Sequence, residues 1–178
     1  MPAPYTTFKN VRVTGDLDVT GTFDQQEAGL GWADYVDTQY TSESAFAVSA
    51  NTDTNLPNNA GTARATYLPS DLTAFYADGK ITGREGEALL ITVDMKVIPG
   101  VGCTLIEDWI DIGGSVGELY RRPSTFPKGQ GIVRSIVHTT AVYTLDTWAQ
   151  NGGTVKVRAN GPCEIYDIRY VIFRVFKP

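Results

Sequence analysis

The chain has 178 residues, 42% of them hydrophobic and 20% charged, with a formal net charge of −5 and two cysteines. This balance is that of an ordinary globular chain and excludes a disordered one. The acidic excess argues against a nucleic-acid partner, because that binding rests on clustered Lys and Arg, and Arg121-Arg122 is the only adjacent basic pair.

From the N-terminus, Met-Pro-Ala-Pro-Tyr lacks the basic-then-apolar order of a secretory signal. No apolar run reaches the roughly 20 residues of a membrane-spanning helix. Synthesis in a cytoplasm, with no membrane partner, is the expectation. In that reducing setting Cys103 and Cys163 read as two buried thiols and not as a disulfide. Residues 1–10 carry two prolines and are expected to form an extended arm able to lie along another surface.

Residues 11–24 hold a short repeat, Val13-Thr14-Gly15-Asp16-Leu17 followed by Val19-Thr20-Gly21-Thr22-Phe23. Val11, Val13, Leu17, Val19 and Phe23 share one parity, which gives a strand with a single apolar face. Two such units cannot bury that face alone, so a neck that pairs with copies of itself is expected. The polar stretch Asp24–Gly31 leads out of it. Residues 25–178 are assigned to one head domain.

The head reads as all-β. Ala45–Ala50 and Thr62–Tyr67 are short strands flanking the turn-rich Asn51–Gly61, and Asp78-Gly79 marks a tight turn. Glu87–Pro99 alternates cleanly, with Leu89, Ile91, Val93, Met95 and Val97 on one face. Cys103–Ile112, Ile132–Thr139, Ala141–Leu145 and Val155–Ala159 follow as strands, with one capped turn at Asp146–Gln150. Turns recur every 10–20 residues and no amphipathic pattern extends over three helical turns, which predicts an antiparallel β-sandwich of jelly-roll type.

The closing segment Cys163–Phe176 is apolar on both faces. Tyr166, Ile168, Tyr170, Ile172 and Phe176 share one parity; Ile165, Val171, Phe173 and Val175 share the other. A strand apolar on both sides is covered on both, so Tyr166, Ile168, Tyr170 and Ile172 are candidates for a subunit contact, an ordinary central strand being the alternative.

Chemistry is hard to find. Gly113-Gly114-Ser115-Val116-Gly117 fits G-x-S-x-G, but no helix follows it to make a nucleophile elbow, and a glycine hairpin is expected. Asn51-x-Asp53-x-Asn55 opens like a calcium loop, yet its sixth position is Leu56 and its twelfth Thr62, which excludes an EF-hand. Glu107 and Asp111 flank Trp109, but on one strand they stand roughly 13 Å apart at about 3.3 Å per residue, too far for a pair of glycosidase carboxylates. The lone His138 has no partner set for a metal. No catalytic residue, metal ligand or cofactor is assigned. Trp32, Tyr35, Trp109 and Trp148 are candidates for stacking on a glycan.

The repeat Val-Thr-Gly-Asp-Leu-Asp-Val-Thr-Gly-Thr-Phe resembles the β-repeats in stalks of tailed-bacteriophage fibres. The block from Gly31-Trp32-Ala33-Asp34-Tyr35 through Leu56-Pro57-Asn58-Asn59 to Glu164-Ile165-Tyr166-Asp167 resembles a globular domain of phage virion proteins. The resemblance implies a homotrimer with jelly-roll heads of the tumour-necrosis-factor and C1q type, whose last strand runs near the three-fold axis. It also implies virion partners docked through residues 1–10 and a location in the virion. Thirteen residues of neck span at most roughly 45 Å, which favours a capsid decoration protein or short head fibre. The alternative is a tail-tip module that binds host-surface glycans.

Overall fold

The computed structural model describes residues 30–127 and 130–178. The arm and the neck, including Val11, Val13, Leu17, Val19 and Phe23, lie outside the described residues. The elements are β1 (Gly31–Val36), β2 (Phe46–Val48), β3 (Thr54–Asn55), β4 (Thr62–Arg64), β5 (Tyr76–Ala77), β6 (Lys80–Ile81), β7 (Glu87–Pro99), β8 (Leu105–Asp111), β9 (Glu118–Thr125), β10 (Arg134–Thr144), α1 (Asp146–Asn151), β11 (Thr154–Ala159) and β12 (Cys163–Phe176). One antiparallel sheet runs β10-β7-β12-β1-β4, with β2 also on β12; a second runs β3-β11-β8-β9; β5 and β6 form a hairpin. The domain is the all-β sandwich that the sequence predicts.

The alternation of β7 sets the core. Leu89, Ile91, Val93, Met95 and Val97 all face inward, beside Ile168, Tyr170 and Ile172 of β12 and Ile136 and Val142 of β10. From the other sheet come Ile106 and Ile110 of β8 and Val155 and Val157 of β11. Burying such side chains supplies about 1.5–3 kcal/mol each relative to leaving them in water. At the Asp78-Gly79 turn both residues take positive φ, 52° and 76°, the backbone of a type I′ hairpin.

Two elements differ from the sequence reading. Ile132–Thr139 and Ala141–Leu145 are parts of one strand, β10, whose pairing with β7 runs unbroken from Arg134↔Val97 to Thr144↔Glu87; Thr139 and Thr140 are β-branched and sit well in a pleated strand. Glu118–Thr125 is a strand with little apolar period. It is an edge strand, where charge and a proline such as Pro123 are tolerated and discourage further pairing.

Part of the two-faced appearance of β12 has a local cause, while Val171, Phe173 and Val175 lie on its outer face. Between the pairs Tyr166↔Lys96 and Arg169↔Asp94 the register shifts, with Asp167 and Ile168 opposing Met95 alone and Asp167 at φ 50°. This bulge exchanges the faces. Cys163 and Ile165 point inward before it; Ile168, Tyr170, Ile172 and Arg174 do so after it.

Arg174 is the unusual inward residue. Its guanidinium is wholly buried, 2.8 Å from Asp71 and 3.1 Å from Glu87, which is itself buried. Asp71 also receives Arg84 at 2.9 Å and Lys177 at 2.8 Å. Arg174→Ala should cost about 3–5 kcal/mol, because it strands the Glu87 charge in the interior; urea denaturation measures this. The Lys177 hydrogen bond first, then the charges of Arg174, Lys177 and Arg84, hold the Asp71 carboxyl below its ordinary range. A depressed carboxylate stabilises the fold above its unfolded pKa and loses that contribution as pH falls through its lower folded value. Asp71→Asn should therefore flatten the acid limb of the stability curve below about pH 4, the unfolded Asp value.

Candidate interaction face

The outer face of the six-stranded sheet is built from the residues that β7, β10 and β12 turn away from the core. Register places them in rows. Tyr143, Ala88 and Phe176 form one, and Ala141, Leu90, Phe173 and Trp32 the next. Trp32 stacks on Tyr67 at 5.5 Å between ring centroids and meets Phe173 at 6.0 Å. Val137 on β10, Leu145 just beyond it and Val175 on β12 add further apolar surface. Phe173, Val175, Phe176, Leu145, Val137 and Tyr143 are exposed, from 36% at Phe173 to 70% at Tyr143, whereas Trp32 and Leu90 are half-buried and Ala88 is buried between them. A contiguous apolar patch of this kind marks an interaction surface.

Polar residues border it. Thr92 and Thr139 share a hydrogen bond of 2.9 Å. Arg169 grips Asp34 through two bonds of 2.8 and 2.7 Å, the bidentate geometry that fixes a planar guanidinium. Asp94 lies in the same row as Arg169 and Val137; burial pushes its carboxyl above the ordinary range, while the charges of Arg169 and Lys96 pull it back.

The side chains nominated from sequence are distributed differently. Ile168, Tyr170 and Ile172 lie in the core of their own chain, and the Tyr170 hydroxyl donates to the Leu56 carbonyl at 2.9 Å. Burial pushes that hydroxyl's pKa well up. Tyr166 is buried on the outer side, with the Lys96 ammonium 5.6 Å from its ring centre. None of the four is left free for a subunit contact; the exposed face of β12 is the one carrying Phe173 and Val175.

The glycan-stacking candidates change in the same way. Tyr35 is buried, its hydroxyl accepting from the Phe75 amide at 2.8 Å, and Trp148 is the residue that α1 buries. Trp109 faces out from the four-stranded sheet and stands apart from the core cluster, but the Arg121 guanidinium covers it at 3.9 Å. A cation over an indole face is a favourable contact, and Glu107 and Glu118 hold Arg121 in place. Only Trp32 keeps a partly exposed ring, and it belongs to the apolar face.

The carboxylates around Trp109 are all paired: Glu107 and Glu118 with Arg121, Asp111 with Lys156, and buried Asp108 with Arg122 and His138. Ser124 Oγ lies 3.5 Å from His138 Nε2, the outer limit of a hydrogen bond. Ser124, His138 and Asp108 join the open edges of the two sheets, β9 and β10. Among the described residues no cluster of His, Cys, Asp or Glu suits a metal ion, and Asp53 of the calcium-like loop pairs with Arg158 at 3.2 Å. Cys103 and Cys163 are free, buried thiols, the latter pushed up to about 12 by burial and by the neighbouring Cys103.

No protein-family model and no curated protein sequence matches this chain. Among solved structures, the Eiger TNF of S. frugiperda superposes with a TM-score of 0.54 at 11% identity, over 84% of this chain and 95% of that one. The fold is a TNF-like jelly roll. The PRD1 vertex protein P5 aligns with a TM-score of 0.48 at 13% identity, over 93% of this chain and 86% of that one.

Arg121→Ala should uncover Trp109. The expected readout is a red-shifted tryptophan emission and stronger acrylamide quenching, with stability lowered by no more than about 1 kcal/mol, as for half-exposed ion pairs.

Proposed function

We propose that the protein is a non-enzymatic structural component of a tailed-phage virion, a homotrimeric capsid decoration protein or short head fibre. The carrying observation is the aromatic and aliphatic outer face of the six-stranded sheet, and its occupant is a second copy of the same chain. Covalent continuity supports this choice. The N-terminal segment enters the domain at Leu30 and β1, beside Trp32 and Phe173, so a neck that pairs with copies of itself delivers this face to its counterparts. The TNF-like fold and the fibre-type repeat agree with a trimer.

In this reading the arm of residues 1–10 docks on another virion protein, the neck ties three chains together and the head faces outward. Adhesion is the mechanism. Three linked arms convert weak single contacts into firm attachment, because after the first has bound the others act at high effective concentration.

Native mass spectrometry of the full chain at micromolar concentration should show three copies. Phe173→Glu combined with Tyr143→Glu should raise the trimer dissociation constant at least a hundredfold while leaving the melting temperature of the domain little changed, since both side chains are exposed. A full-length monomer, or a charged variant that associates as tightly as the parent, refutes the assignment.

A further inference from the structure

A trough on the other side of the domain has a different chemistry. Two cavities of about 390 Å³ each adjoin one another and share Asn55, Lys80 and Thr154. The first is completed by Asp111, Asn151 and Lys156, with Gly113, Gly114 and Gly152 in its wall. The second is completed by Gln39, Asn58, Asn59 and Asp78, with Tyr76 at its base. A third cavity of about 280 Å³ continues past Lys80 and Gly152. Individually these lie at or near the low end of ligand-sized sites, and joined they suit an elongated ligand.

The walls are fixed. Asn58 donates to the Tyr35 carbonyl at 3.1 Å and accepts from the Ala60 amide at 2.8 Å. Asn151 donates to the Ile112 carbonyl at 3.1 Å, and Asp111 accepts from the Gly113 amide at 2.8 Å and binds Lys156. Against this frame, the side chains of Gln39, Asn55, Asp78, Lys80 and Thr154 make no hydrogen bond or ion pair with another described residue. Two amides, a hydroxyl, one carboxylate and one ammonium are thus offered along a preformed trough.

The composition of that set selects the ligand class. Amides and a hydroxyl both donate and accept, which matches a ligand whose groups do the same. Asp78 balances Lys80, and Asp111 is spent on Lys156, so no excess of positive charge calls for a phosphate. The open edge of β3 is two residues long and is followed by Pro57, too short to add a peptide strand. The first cavity is lined mainly by polar groups, and Lys80 and Asp78 bring charge to the wall of the second, which disfavours a lipid chain.

We infer that this trough binds a neutral oligosaccharide, whose hydroxyls accept from Lys80, donate to Asp78 and do both with Asn55, Gln39 and Thr154, instead of stacking on an exposed tryptophan. No strand residue lining it lies on the outer face of the six-stranded sheet, so the site is independent of the trimer proposed above and outlasts a failure of that reading.

Saturation-transfer NMR on the full chain, with lactose, maltotriose and N,N′-diacetylchitobiose as probes, tests this. Saturable binding of at least one sugar is expected. Asn55→Ala combined with Thr154→Val should weaken it at least tenfold, as should Lys80→Ala, while Val101→Thr, in an exposed turn that lines neither the trough nor the apolar face, should not change it. All three altered positions in the trough are on the surface or half-buried, and circular dichroism checks that each variant keeps its fold. Absence of saturable binding by every probe overturns the inference. So does binding that survives the trough substitutions, and so does full displacement of the sugar by inorganic phosphate, which would mark an anion site.

Discussion

The antiparallel ladder between β7 and β12 is the constraint on which the rest of the domain depends. β12 lies between β7 and β1 and also takes β2, so the last of the described strands supplies backbone partners for the first. β1 and β4 pair with each other but join the larger sheet only through β12. Contacts of such high sequence separation make folding slow, because the loop-closure entropy falls due before the contacts form. The inward Arg174 sits on this same strand and draws Asp71, Glu87, Arg84 and Lys177 around one end of the ladder, so a buried charge network is fastened to the element that closes the sheet.

The sandwich was legible because its longest strand obeys a strict two-residue period. Leu89 to Val97 announced both a strand and the face it buries, and the glycine and Asp-Gly turns announced the hairpins. β9 was illegible from the same rule, since an edge strand with Arg121, Arg122 and Pro123 has no apolar period to find. Its role emerges only from its neighbours: Arg121 reaches across to cover Trp109, and Arg122 reaches inward to Asp108.

The interaction face was half legible. The sequence singled out Cys163–Phe176 as apolar on both sides, and β12 does carry an exposed apolar face. The candidates Ile168, Tyr170 and Ile172 share the face that β12 turns into its own core, and the bulge at Asp167, with no glycine to signal it, sets Tyr166 on the other side from them. An aspartate in a left-handed conformation is a weak mark in this sequence, since Asp34, Asp94, Asp108 and Asp111 also lie in strands of the domain. The aromatic residues were misread for a related reason. Tryptophan and tyrosine are as useful inside a domain as on its rim, and Trp148, Tyr35 and the guanidinium-covered Trp109 show three ways for such a ring to be withdrawn from solvent.

The pairing of Gly31 with Arg174 fixes where anything joined to this head must leave it. The chain entering at residue 30 and anything joined past Phe176 meet this corner, so a C-terminal fusion would crowd the start of β1. The turn at Gly100–Cys103, at the far ends of β7 and β12 from that corner, is the better place to carry cargo. Val101 is 71% exposed there, and Gly102 has open space around it. As a display scaffold, the domain is built to be loaded through a loop.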